Sequence, residues 1–264
     1  VTRGSEEVRG QAYRALADHW EDPRMVPFLL RVLHDDPDPS ARGLACIGLG
    51  RFLDTASVEG ALEPDYRPDT YSPPVLRDAL LSRTVFDRVL RLAADRKEPK
   101  EVLRRALEAL GSYAYRAEVA ELIEQMYRDE EESSQVSAVF AMGRSGLKKY
   151  RKRILKHLQD ESAALQFEAV QAVEWWELKA ALPYLKKIVL DGANPNRGDA
   201  LVAYARFAPS ACLKGVLEQV REMLPDPVFT QVLGDVHEQI LDDLEIGMRS
   251  EDDDLDGLFS DDEL

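Results

Sequence analysis

Three stretches of this chain repeat one arrangement of small, large and polar positions. They begin at Gln135, Gln166 and Arg197, 31 residues apart, and each reads x-[VFG]-x-Ala-x-x-Ala-x. Residues three apart share a helix face, so the paired alanines predict helices with one smooth side. A period of this length that recurs predicts stacked helical units, each burying its face against its neighbours. The columns extend upstream once Arg9, Arg42 and Leu103 are set beside these three, at intervals of 33, 61, 32, 31 and 31 residues. Three positions on, every row holds alanine: Ala12, Ala45, Ala106, Ala138, Ala169 and Ala200. Six on come Ala15, Gly48, Ala109, Ala141, Ala172 and Ala203, and seven on come Leu16, Leu49, Leu110, Met142, Val173 and Tyr204. The small columns allow helices to approach closely, and the large column fills the space between layers.

These six segments predict the inner helices of successive pairs. Outer helices are expected over residues 23–34, 75–95, 117–128, 147–158 and 179–190. The long interval predicts an insertion over 54–74, a loop rich in proline and tyrosine around Tyr66, Pro68, Tyr71, Pro73 and Pro74. Long loops of this kind are often functional. A less regular helical pair is expected at 210–224 and 227–244, as a polar cap to the stack. The fold expected is therefore all-α, a right-handed α-solenoid over residues 1–246 followed by an acidic tail, 247–264, too polar and low in complexity to bury a core. The first inner helix, 5–19, has no outer partner before it, and the chain starts at Val1, so a further helix is expected upstream.

The turn Asp35-Asp36-Pro37-Asp38-Pro39, the Arg42 that follows and the small residues after it resemble HEAT repeats, especially the short bacterial HEAT-like, bilin-lyase-type kind. The resemblance spans roughly residues 5–208 and its degenerate motif recurs six times. It implies that the inner helices line a concave surface. Positions two, five and nine residues into each inner helix share a stripe that escapes the packing rule. The resemblance places that stripe in a groove and makes Arg51, Arg105, Phe140, Arg144, Gln171, Trp175 and Arg206 the candidate partner-binding residues. Arg and Trp are the residue types that most often anchor interfaces.

Charge changes this picture in two places. The net charge is −15, with 49 acidic against 34 basic residues, which disfavours a nucleic-acid partner. Eight of the acids lie in the tail, and the remaining body is ordinary for a soluble chain. Against this background Lys148, Lys149, Arg151, Lys152, Arg153 and Lys156 form a basic patch on an outer helix, onto which an acidic tail or another anion is expected to fold. No apolar run is long enough to span a membrane. Cys46 and Cys212 lie far apart inside helical patterns, which predicts two small buried residues in a reducing, cytoplasmic setting.

Chemistry-bearing motifs are few. The four histidines, His19, His34, His157 and His237, have no metal-ligand spacing, and neither a phosphate-cradling glycine loop nor a nucleophile elbow occurs. One formal match remains in the tail. Asp252, Asp254 and Asp256, then Gly257 and Glu263, follow the calcium-loop pattern, although the chain ends one residue later without an exiting helix. The function expected is a non-catalytic scaffold that binds another protein or peptide, with no cofactor. The alternatives are the enzymes that the resemblance brings in, an alkylation-repair DNA glycosylase or a bilin lyase, and a calcium-responsive module built on the tail.

Overall fold

A computed structural model describes residue 15 and residues 19–68, 72–225, 228–234 and 236–237. Every regular element among them is helical. The chain divides into two compact units, residues 1–148 and 149–264.

Among the described residues, the N-terminal unit holds three helix pairs. Outer helix α1 (Met25–Asp35) packs on inner helix α2 (Pro39–Val58), α3 (Ala79–Ala94) on α4 (Lys100–Ala109), and α5 (Ala117–Tyr127) on α6 (Glu132–Arg144). The inner helices α2, α4 and α6 stack in turn. The C-terminal unit repeats the arrangement with α7 (Arg151–His157) on α8 (Ala163–Trp175) and α9 (Leu182–Val189) on α10 (Arg197–Phe207), followed by α11 (Ser210–Met223). This is the stacked-pair architecture of an α-solenoid.

The packing columns are where the alternation of small and large residues places them. Ala45, Ala106, Ala138, Ala169 and Ala200 are buried, as are Leu49, Leu110, Met142, Val173 and Tyr204. Two glycines show why the small columns must stay small. A Cβ on Gly111 would come within 2.9 Å of Arg144 Cβ and 3.2 Å of Ala141 Cα, and one on Gly50 within 3.0 Å of Ala109 Cα. At these points one helix rests against the backbone of the next.

The turn inside each pair has its own repeated chemistry. Asp36, Asp129, Asp160 and Asp191 each lie six residues before the first column of an aligned row, at Arg42, Gln135, Gln166 and Arg197. Each accepts a hydrogen bond on Oδ1 from the backbone N–H two residues on, at 2.9–3.1 Å. Short acidic side chains close such turns locally. The residue in that first column then donates back across the turn. Arg42 bonds to the carbonyl of Asp36, Gln135 to Asp129, Gln166 to Leu158 and Arg197 to Val189, at 2.8–3.2 Å. The carbonyls that an outer helix leaves unpaired at its end are satisfied in this way. N-caps complete the starts: Asp38 accepts from Ser40, Asp78 from Leu80 and Leu81, and Ser162 from Leu165.

Three expectations need correction. Helix continues to Val58, so the insertion begins later than residue 54. The extra turn is held because Leu53 and Ala56 are fully buried and Tyr113 donates its hydroxyl to the Leu53 carbonyl at 3.1 Å. The outer helices expected at 75–95 and 179–190 each open with a short 3-10 turn, Pro74–Arg77 and Lys179–Ala181, before α3 and α9. Of the two cysteines only Cys46 is buried, and Cys212 is exposed on α11.

Candidate functional site

The candidate residues divide between the units, and each group is set by its own helices. In the N-terminal unit Arg51 is exposed on α2, and Arg105 and Phe140 are half-buried on α4 and α6. Arg105 pairs with Glu108 at 2.7 Å, and Glu108 also accepts a bond from Ser137 at 2.5 Å. Arg104 donates to the same Ser137 hydroxyl at 3.0 Å. Ser137 is fully buried, whereas the Arg105 side chain stays 40% exposed, so the hydroxyl anchors the group from inside. Arg144, at the end of α6, reaches past Gly111 to form an ion pair with Asp54 on the extra turn of α2. Burial raises the Asp54 carboxyl above its ordinary range, and Arg144 and Ser112 oppose the shift.

In the C-terminal unit the stripe behaves differently at its two edges. Arg206 on α10 pairs with Glu174 on α8 at 3.1 Å, the two side chains being 21% and 9% exposed. Burial again raises the carboxyl pKa, against the pull of Arg206. Nearby on α10, Val202 is buried. The outward edge of α8 carries Phe167, 37% exposed, and Trp175, 40% exposed. Gln171 sits between them in sequence at four-residue spacing and is half-buried. Residues at i, i+4 and i+8 follow one slowly drifting stripe, so the three share a face. Trp176 is turned further inward than Trp175.

Asp54 and Glu174 were missed as site residues in the sequence reading. A signal for Glu174 does exist. Eight positions into the inner helices the rows read Ala17, Gly50, Gly111, Gly143, Glu174 and Ala205, so one carboxylate interrupts a column of small residues. Asp54 lies beyond the repeat, on the turn that the insertion was expected to remove, and nothing in the columns marks it.

The basic run is a solvated surface over much of its length. Lys148, Lys149, Lys152 and Lys156 are exposed, and Arg151 and Arg153 are half-buried. Lys149 lies over the Tyr150 ring at 4.8 Å. The tail positions Asp252, Asp254, Asp256 and Glu263 lie outside the described residues. Among the described residues, no group of three or more His, Cys, Asp or Glu side chains could hold a metal ion. No helix among them is long and apolar enough to cross a membrane.

The repeat pattern has a family counterpart. HEAT repeats match residues 1–94 and 119–205, well over half of the chain. The chain belongs to the HEAT-repeat family. The interruption between the two matched stretches covers α4 and the 3-10 turn after it, Gly111–Tyr113, where Leu103 replaces the Arg or Gln in the first column of the other rows. No curated protein matches this HEAT-repeat chain.

Proposed function

We propose that this HEAT-repeat chain is a non-catalytic scaffold that binds another protein or peptide on the inner-helix face of its C-terminal unit. The observation that carries the reading is the pair of large aromatic side chains, Phe167 and Trp175, left substantially exposed on α8. The equivalent inner-helix positions elsewhere in the chain carry no aromatic residue: Gly43, Arg104, Val136 and Gly198 match Phe167, and Arg51, Ser112, Arg144 and Arg206 match Trp175. A Trp flanked by fixed polar groups is a common binding anchor. Here Glu174 and Arg206 are held by each other, which provides a preorganised polar border at no further ordering cost.

Arg206 therefore supports the face and does not reach out from it. The test follows from that division. Peptides selected from a displayed library against the full chain should lose about tenfold or more in affinity for the Phe167→Ser, Trp175→Ser double variant. The variant should keep the parent's circular dichroism spectrum and lose only a few degrees, roughly, in melting temperature, since each side chain is more than a third exposed and neither belongs to the fully buried core. Selected peptides that bind parent and variant equally would remove the reading.

A further inference from the structure

The arginines that the repeat alignment singled out are mostly neutralised within the chain, but three others are not. Arg31 on α1 and Arg88 and Arg91 on α3 are exposed. None makes an ion pair with a described residue, whereas Arg42, Arg105, Arg144 and Arg206 are each matched by a carboxylate. The three line one cavity of about 490 Å³ between the outer helices α1 and α3, inside the N-terminal unit. Leu30, Leu33 and Leu92 supply its apolar lining.

The acids on the cavity wall are already engaged. Asp35 is held by His34 at 2.7 Å, and Asp95 accepts from the backbone N–H of Lys97 at 3.0 Å. Arg31 rests over the Phe28 ring, 6.0 Å from its centre. The wall therefore carries three guanidinium groups against two carboxylates, a small positive excess beside an apolar floor, in a chain whose net charge is −15. Guanidinium groups that make no ion pair gain from an anionic partner, and they pair with carboxylates through two parallel hydrogen bonds. The floor adds a second demand. A bare polyanion would leave the accessible parts of Leu30 and Leu92 in water, whereas a segment with large apolar side chains would cover them.

We propose that the cavity between α1 and α3 is a docking site for a protein segment that interleaves carboxylates with leucine or phenylalanine. The apolar side chains fill the floor and the carboxylates pair with Arg31, Arg88 and Arg91. The proposal shares with the scaffold reading only the premise of a protein partner. It uses a different unit, so the Phe167 and Trp175 variants leave it intact and the two readings fail separately.

The chain itself contains a sequence of the required chemistry, which serves as the probe. Residues 250–264 set Leu255, Leu258 and Phe259 among eight acids. A labelled synthetic peptide of that sequence, titrated with the full chain at about 0.15 M salt and followed by anisotropy, should bind saturably. Affinity should fall about tenfold or more with the Arg88→Glu, Arg91→Glu chain and by a smaller factor with Arg88→Ala, Arg91→Ala. Both positions are exposed, so circular dichroism should be unchanged. A peptide with Leu255→Ser, Leu258→Ser and Phe259→Ser should also lose binding. The titration is repeated on a full-length chain carrying those same three serines, which removes any competing segment of its own. Absence of saturable binding to both chains would overturn the proposal. So would equal binding by the all-acid peptide or by the charge-reversed chain. Arginine-dependent binding of heparin with no binding of the peptide would overturn it in favour of a simple polyanion site.

Discussion

Two inner helices, α6 and α8, end on the same backbone with opposite residue types. α6 closes with Gly143-Arg144-Ser145-Gly146 and α8 with Glu174-Trp175-Trp176-Glu177. In both, the N–H of the residue before the last donates in the same register: Ser145 to the Ala141 carbonyl and Trp176 to the Ala172 carbonyl, each at 3.2 Å. In both, the final residue turns left-handed, with φ of 63° at Gly146 and 45° at Glu177. Glycine adopts that conformation freely, and glutamate pays a steric penalty for it. At the earlier position glycine fits a column of small residues, while Glu174 places a carboxylate inside it and requires Arg206 on the next inner helix. The repeat backbone thus accepts two solutions to one packing problem. One lets helices touch, and the other inserts a buried ion pair that fixes how they align. Buried pairs add little net stability over good apolar packing, yet they are costly to break.

The largest expected effect comes from breaking that pair unevenly. Arg206→Ala strands a carboxylate that is only 9% exposed, and should cost about 3 kcal/mol in urea denaturation. Glu174→Ala restores the small residue that the other rows carry and leaves an arginine that can reach water. Its cost should be about 1 kcal/mol. The double variant should cost less than the sum of the two, because the residues are in contact. Equal losses from the two single variants would show that α8 does not use the small-column packing of α6.

The next effect is opposite in sign at the two helix ends. Glu177→Gly should stabilise the chain by about 1 kcal/mol by relieving the left-handed backbone. Gly146→Glu should destabilise it by a similar amount, and a Cβ there meets nothing within 4 Å, so backbone conformation and not crowding is what changes. Thermal denaturation of both variants reads the pair directly. Stabilisation by neither direction would mean that the surrounding turn, not the residue, sets φ.

These comparisons mark what a linear reading of the chain could and could not recover. Ala138, Ala169 and Ala200 were legible because packing repeats with the backbone, so every row carries the same demand. The Arg144 and Arg206 side chains were legible as a row but not as ion pairs. Their partners differ: Asp54 lies on a turn outside the repeat, and Glu174 sits where the other rows have glycine or alanine. Tertiary pairing of long side chains depends on where each helix stops, and that was misjudged at Val58. The cavity between α1 and α3 was illegible for a related reason. Its lining comes from two outer helices separated by the insertion, and the spacing between them is not written in any one segment.

The smallest effect concerns pH. Burial lifts the Glu174 carboxyl above its ordinary 4.5, because the interior disfavours its charged form more than Arg206 favours it. A group whose pKa is higher in the folded than in the unfolded chain contributes stability while pH lies below the unfolded value. That contribution is lost as pH rises through the folded value. Glutamine at this position carries no such dependence. The melting temperature of Glu174→Gln minus that of the parent should therefore climb from pH 4 toward neutrality and then level off. Asp54→Asn should show the same direction, since burial raises that carboxyl too. Gly143 offers no counterpart on α6, which is why the slope belongs to the charged solution and not to the repeat. A difference that falls with rising pH would mean that Arg206 holds Glu174 charged more strongly than burial opposes it. The inserted pair would then be a net stabiliser of α8 against α10.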